Sequence, residues 1–338
     1  MKKSIIVFFF LLAAWGHLSS ASEVVPLPDL LKPHQITVDD SQLYITENAS
    51  VYVYSLDHFS LKKKFGRKGE GPQEFMIPPP GGVYVDVQTD NILVNSLQKL
   101  SIFTKDGNFI KEIKIVTAMG SGLYPAGDRY VGANLKEENK TFFVTINLFD
   151  ANLNKGKTIY TFKHPMQVGK EIDPIAATNR NPFVTHGNKI FIAGKDNIIH
   201  VIANNGSKLY EIVFPYPKVS ITEERKNRYI DFFKTSPRFK RAWERFKHLV
   251  KFPANFPTVR DLTAIDHKLY VLTYEEEQDN RKFYIFSFDG KLIKQTMLPL
   301  KDMNALSPYP YTVKKNKLYQ VVENDDAEEW ELHITGIL

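Results

Sequence analysis

Arg260 and Asp261 set a guanidinium beside a carboxylate at the head of a predicted strand. Arginine carries its donors in a fixed planar fork that matches carboxylate and phosphate oxygens, and the neighbouring aspartate supplies an acceptor. Tyr309 and Tyr311 stand at the head of a later strand. Their rings offer a flat apolar face with a hydroxyl tip. Arg67, Lys68 and Arg180 add cations in segments that lead into strands. Together these residues suit an anionic or sugar-like ligand. A plainer role for Arg260-Asp261, an ion pair between neighbouring sheets, stands beside that one.

Other chemistries lack their residues. The chain has no cysteine, which removes disulfides, thiolate metal sites and a thiol nucleophile. No Gly-x-Ser-x-Gly elbow occurs. The nine histidines are scattered, and the strand heads lack the acidic ligands of a hard-cation site. No catalytic residue, metal site or cofactor is therefore expected. Gly66, Gly69 and Gly71 could present backbone N–H groups to a phosphate, but the Gly-Lys-Ser/Thr sequence of a phosphate loop is missing.

The elements that must position these residues repeat. Short β-branched and aromatic runs recur as Leu43-Tyr44-Ile45, Ile92-Leu93-Val94, Ile190-Phe191-Ile192, Leu269-Tyr270-Val271 and Leu318-Tyr319, nearly all after a polar turn. A second run then ends in a tight turn, as at Asp106-Gly107, Asn205-Gly206 and Asp289-Gly290. Such dipeptides accept positive φ at low cost and close hairpins. Units of four antiparallel strands are expected near 35–66, 81–116, 121–163, 181–215, 258–299 and 307–338. That period is the signature of propeller blades. The chain is read as all-β, a six-bladed β-propeller over residues 22–338. Its last unit lacks a fourth strand, and Val24 to Leu31 is expected to supply it, because closure removes exposed sheet edges. Two β-sandwiches are the alternative, but they do not explain the recurring hairpin.

The string Lys64-Phe65-Gly66-Arg67-Lys68-Gly69-Glu70-Gly71-Pro72-Gln73-Glu74-Phe75, followed by Gly82 to Asp86, Asn91 to Val94 and Ile102-Phe103, resembles an NHL repeat. It is more similar still to the exported bacterial six-bladed propellers of the NHL/TolB-like group. The run from Ile198 to Phe214 resembles that group's fourth blade. The resemblance implies the fold and an exported protein. It implies little about activity, since most members have no assigned one. Physically, the string reads as a connector from an outer strand to the next inner strand.

A helical hairpin insertion between blades four and five, about 219–252, breaks the pattern. Ser220-Ile221-Thr222-Glu223 reads as a capping box. A second helix is expected from about Pro237 to Val250, with Phe239, Trp243 and Phe246 on one stripe and basic residues elsewhere. The long connectors should crowd one mouth of the central channel. There the insertion would form a lid, with Trp243 and Phe246 as lid residues, or else pack on the outer rim.

Lys2-Lys3, the apolar run Ile5 to Ala14 and Ser19-Ser20-Ala21 have the layout of a secretory signal peptide over residues 1–21. A periplasmic or secreted protein, not a lipoprotein, is expected. Formal charge is +6, and loss of Lys2 and Lys3 leaves +4. This mild charge carries no nucleic-acid motif, so no nucleic-acid partner is expected. Membrane contact is not expected either, and the protein is read as a monomer. The function expected is non-enzymatic binding of a protein, peptide or glycan through the loop-rich face. The alternative is an NHL-like hydrolase or lyase acting in the capped channel.

Overall fold

In the computed structural model, residues 22–77, 81–115, 122–165, 167, 170–176, 183–194 and 197–337 are described. Six four-stranded antiparallel sheets carry the chain. Their inner strands are Gln35–Val38, Tyr84–Val87, Tyr124–Ala126, Phe183–His186, Asp261–Ile265 and Tyr311–Lys314. Every one of these lies close to the expected start of its unit.

Six apolar clusters, one at each blade boundary, make the sheets a ring. Val51 and Val53 pack with Val85 and Val94 between blades one and two. Leu100 packs with Leu123 between two and three, and Ile146 with Ile190 between three and four. Phe214 meets Phe286 between four and five, and Leu272 meets Leu318 between five and six. Ile45 and Tyr54 join Val321 and Leu332 between six and one. Middle strands such as Gln42–Glu47 are buried along their whole length, because each face of a blade is covered by a neighbour. Outer strands are wetter, and Leu61–Phe65 carries three lysines.

The ring closes as the sequence predicts. Ser22–Pro26 pairs antiparallel with Glu329–Gly336, in the register Ser22 to Thr335 and Pro26 to Glu331. Leu27 and Leu30 then turn inward and are 0% and 3% exposed. The indole N–H of Trp330 donates to the carbonyl of Leu31 at 3.0 Å. Residues 1–21, the expected leader, lie outside the described residues.

The insertion departs from expectation at two points. Helix α1, Glu223–Thr235, is capped by Thr222, whose hydroxyl accepts from the Arg225 N–H at 3.3 Å, so the cap is not Ser220. It ends at Ser236, before Pro237, as predicted. The second helix is much shorter than 237–250: α2 spans Trp243–Phe246, followed by a single 3-10 turn, Lys247–Leu249. Six of the fourteen residues 238–251 are basic and only Glu244 is acidic. Like charges one turn apart oppose helix formation.

Candidate functional site

The inner strands surround a cavity of about 1420 Å³. Its lining runs from the starts of the inner strands, at His34 and Tyr84, to their far ends, at Asp39, Thr89 and Lys314. His34 meets Tyr84 edge to face at 4.9 Å between centroids, and Tyr124 meets Phe183 at 5.6 Å. Tyr309 meets Trp330 at 5.9 Å. The mouth is thus ringed by aromatic edges from blades one, two, three, four and six. Gly82 makes this possible, because a Cβ there would sit 2.4 Å from the His34 ring.

Below the rim the lining turns polar. The Tyr311 hydroxyl donates to Asp261 Oδ2 at 2.8 Å. Gln35 exchanges two hydrogen bonds with the backbone of Val85, at 2.9 and 2.6 Å, and stitches blade one to blade two. Asp86 faces the same cavity and accepts from the Gln88 side-chain amide. Burial pushes its carboxyl up to about 6, against the lowering effect of that hydrogen bond. Among the described residues no group of three or more His, Asp or Glu side chains could hold a metal ion.

The expected site residues divide into two sets. Arg260, Asp261, Tyr309 and Tyr311 all line the mouth. Arg260 is not turned toward a ligand, however. Its guanidinium donates to Asp302 at 2.7 Å and lies 5.6 Å from the centre of the Tyr274 ring. Burial opposes its charge, and Asp302 more than restores it. Asp302 also holds Arg281 at 2.9 Å. Arg281 and the helix residues Arg225 and Arg228 share Glu276, at 3.5, 2.7 and 3.0 Å. A ladder of charges therefore runs from α1 down to the rim.

Arg67 and Lys68 do not line the cavity. Arg67 is paired with Glu74 at 2.8 Å, with its own side chain 80% exposed. The glycine-rich string folds on itself: Arg67–Lys68 runs parallel to Glu74–Phe75. Phe75, 0% exposed, plugs the boundary between the first two blades. Gly66 sits at φ +84°, and a Cβ there would lie 2.5 Å from the Phe75 ring. The string is thus a connector in this structure. Arg180 lies outside the described residues.

Trp243 and Phe246, the expected lid residues, pack within the insertion. Trp243 is 8% exposed and stacks on Phe233 at 5.8 Å. Their cluster continues through Phe256 to Tyr274 and Leu306. Tyr274 and Leu306 line the cavity, whereas no residue of 219–258 does. Among the described residues the insertion's cluster thus meets the cavity wall at Tyr274 and Leu306.

Sequence reasoning passed over Tyr84, Asp86, Tyr124 and Trp330. Tyr84 and Tyr124 stand first in their inner strands, Tyr84–Val87 and Tyr124–Ala126. Side chains alternate along a strand, so Tyr84 and Asp86 lie on one face, and which face meets the channel depends on how the blades stack around the axis.

The fold and this cavity define a six-bladed β-propeller with an axial pocket. No family model and no curated protein matches the sequence. Among solved structures it is similar to a member of the DUF4221 family from Bacteroides vulgatus, at 13% identity, covering 94% of this chain and 96% of that one, TM-score 0.46. It is also similar to BamB from Moraxella catarrhalis, at 10% identity, covering 90% of this chain and 73% of that one, TM-score 0.33.

Proposed function

We propose that the protein is a non-enzymatic binding propeller of the cell envelope that holds a glycan in its axial pocket. One observation carries this reading: a ring of aromatic edges encloses hydrogen-bonding side chains in a cavity of about 1420 Å³. Sugars present apolar faces that stack on aromatic rings, and hydroxyls that bond to carboxylates and amides. Tyr84, Tyr124 and Tyr309 would supply the faces. Asp86, Asp261 and Gln35 would supply the polar partners. Pockets of this kind, largely preformed with a few convergent polar groups, are ordinary ligand sites.

The arginines support a neutral portion of ligand here rather than an anionic one. Arg260 is neutralised by Asp302, while Asp86 and Asp261 line the cavity. The envelope location is supported by the leader-like residues 1–21, the lack of cysteine and the NHL/TolB-like string at 64–75. Mass analysis of exported protein should give a chain starting at Ser22.

The binding test uses tryptophan. Past the leader only Trp243 and Trp330 remain. In a Trp243→Phe variant the emission reports Trp330 at the mouth alone. Titration with hits from a glycan array should shift that emission, and Tyr309→Ala should abolish the shift. An array with no bound member would defeat the reading.

A further inference from the structure

The insertion concentrates charge. Residues 238–251 hold Arg238, Lys240, Arg241, Arg245, Lys247 and Lys251 against the single acid Glu244, a net +5. The whole chain from Ser22 onward carries +4. The rest of the propeller is therefore slightly acidic, and the basic charge is local to one side of the mouth. All six of these side chains belong to exposed residues. Lys247 is paired with Glu244 at 2.6 Å. Among the described residues the other five have no ion-pair partner within reach, whereas the cations of the buried ladder are all paired. Unpaired surface cations bunched in this way repel one another and do not stabilise the fold. They suit a ligand that brings several negative charges at once.

We propose that this basic patch is a docking surface for an acidic polysaccharide, whose chain continues from the patch to the aromatic mouth. Clusters of lysine and arginine of this density are the usual footprint of polyanion binding. Four observations select the polysaccharide. Among the described residues the large exposed apolar side chains all lie outside 219–258, and the aromatic residues of the insertion pack into its own cluster, so it presents no exposed apolar face to an acyl layer. The same lack removes the apolar centre that a stable protein interface needs. Phe232, Phe239 and Phe246 turn into the insertion's own cluster and are not free to stack on nucleobases. Finally, the cluster beneath the patch shares Tyr274 and Leu306 with the wall of the axial pocket. One extended chain of sugars could therefore set its acidic groups on Arg238, Arg241 and Arg245 and its rings among the tyrosines. The inference deepens the glycan reading and rests on it for the part within the pocket. The patch itself stands on charge alone.

Dextran sulfate and uncharged dextran differ only in charge and make a suitable pair of probes. Binding of residues 22–338, which contain all six blades, is compared for two variants. The first is Arg238→Glu/Arg241→Glu/Arg245→Glu. The second is Lys62→Glu/Lys111→Glu/Lys155→Glu, exposed lysines on the outer strands of blades one, two and three, with the same change in net charge. Each basic residue close to an anionic surface is worth about fivefold in binding, so the first variant should bind dextran sulfate about 100-fold more weakly. The second should stay within about threefold. Both should keep the parent's thermal unfolding, since the altered side chains are exposed.

Equal losses in the two variants would overturn the patch, because net charge alone would then explain binding. Tighter binding to phosphatidylglycerol vesicles or to duplex DNA than to dextran sulfate, at equal concentration of negative charge, would overturn the choice of polysaccharide. The two sites fail separately. Loss of binding in the first variant with no effect of Tyr309→Ala keeps the patch and removes the pocket. Loss with Tyr309→Ala alone removes the patch and keeps the pocket.

Discussion

Tyr311 donates its hydroxyl to Asp261 at 2.8 Å, and each is the first residue of its blade's inner strand. The bond crosses the boundary between blades five and six at the wall of the pocket. Tyr311→Phe keeps the ring in place and removes only this donor. Hydrogen bonds to a charged acceptor are worth about 1.5–3 kcal/mol, and a loss of that size should appear in urea unfolding.

Asp86 gives a pH signature. Its folded carboxyl titrates at about 6, while an unfolded aspartate titrates near 3.9. The folded state therefore holds this proton more tightly than the unfolded chain does. Its contribution to stability is present in full at pH below the unfolded value and is lost as pH rises through about 6. Asp86→Asn should be more stable than the parent at neutral pH. That advantage should shrink between pH about 7 and 4. Thermal unfolding of both proteins across that range checks it. A constant difference would place the Asp86 titration at its ordinary value. Other carboxylates act in the opposite sense. Arg225 and Arg228 help hold Glu276 below its usual range despite burial, so the parent's own curve should turn down in stronger acid.

Asp302 supports two buried guanidinium groups. The side chains of Arg260 and Arg281 are 9% and 8% exposed. Removing Asp302 strands Arg260 and leaves Arg281 with Glu276 at 3.5 Å as its remaining ion-pair partner, and breaking a buried pair in this way typically costs about 3–5 kcal/mol. Asp302→Ala should approach that loss in chemical denaturation. Asp302→Asn, which keeps an acceptor, should lose less.

Closure can be tested at one side chain. Leu27 is fully buried in the cluster between blades six and one. Leu27→Ala should cost about 2–5 kcal/mol. Val24, 49% exposed within the preceding strand Ser22–Pro26, should tolerate alanine within about 0.5 kcal/mol. Equal effects at the two positions would mean that the strand is not anchored as described.

The fold was legible because its determinants are local. Gly107, Gly206 and Gly290 adopt the positive φ, at 72°, 80° and 90°, that the Asp-Gly and Asn-Gly hairpins predict. Val24 to Leu31 could be assigned to the last sheet because that sheet was one strand short. The site was legible only in part. Arg260, Asp261, Tyr309 and Tyr311 were found because all four stand at strand heads. Asp86 and Trp330 were not, since their importance depends on which blades meet across the axis. Arg67 and Arg260 show the same limit. Arg67 read as a ligand cation, and Arg260 as a ligand cation or as half of an ion pair with Asp261, yet one is held by Glu74 seven residues on and the other by Asp302, forty-two residues away.

The pairing of Ser22–Pro26 with Glu329–Gly336 joins segments about three hundred residues apart. During synthesis Ser22–Pro26 has no partner until Glu329–Gly336 has followed it. Domains tend to fold from the N-terminus as they emerge, but this one cannot finish that way. Its opening strand must stay extended and unpaired while five sheets form behind it. Among the sheet pairings described, this one spans the greatest sequence separation and so carries the largest loop-closure entropy.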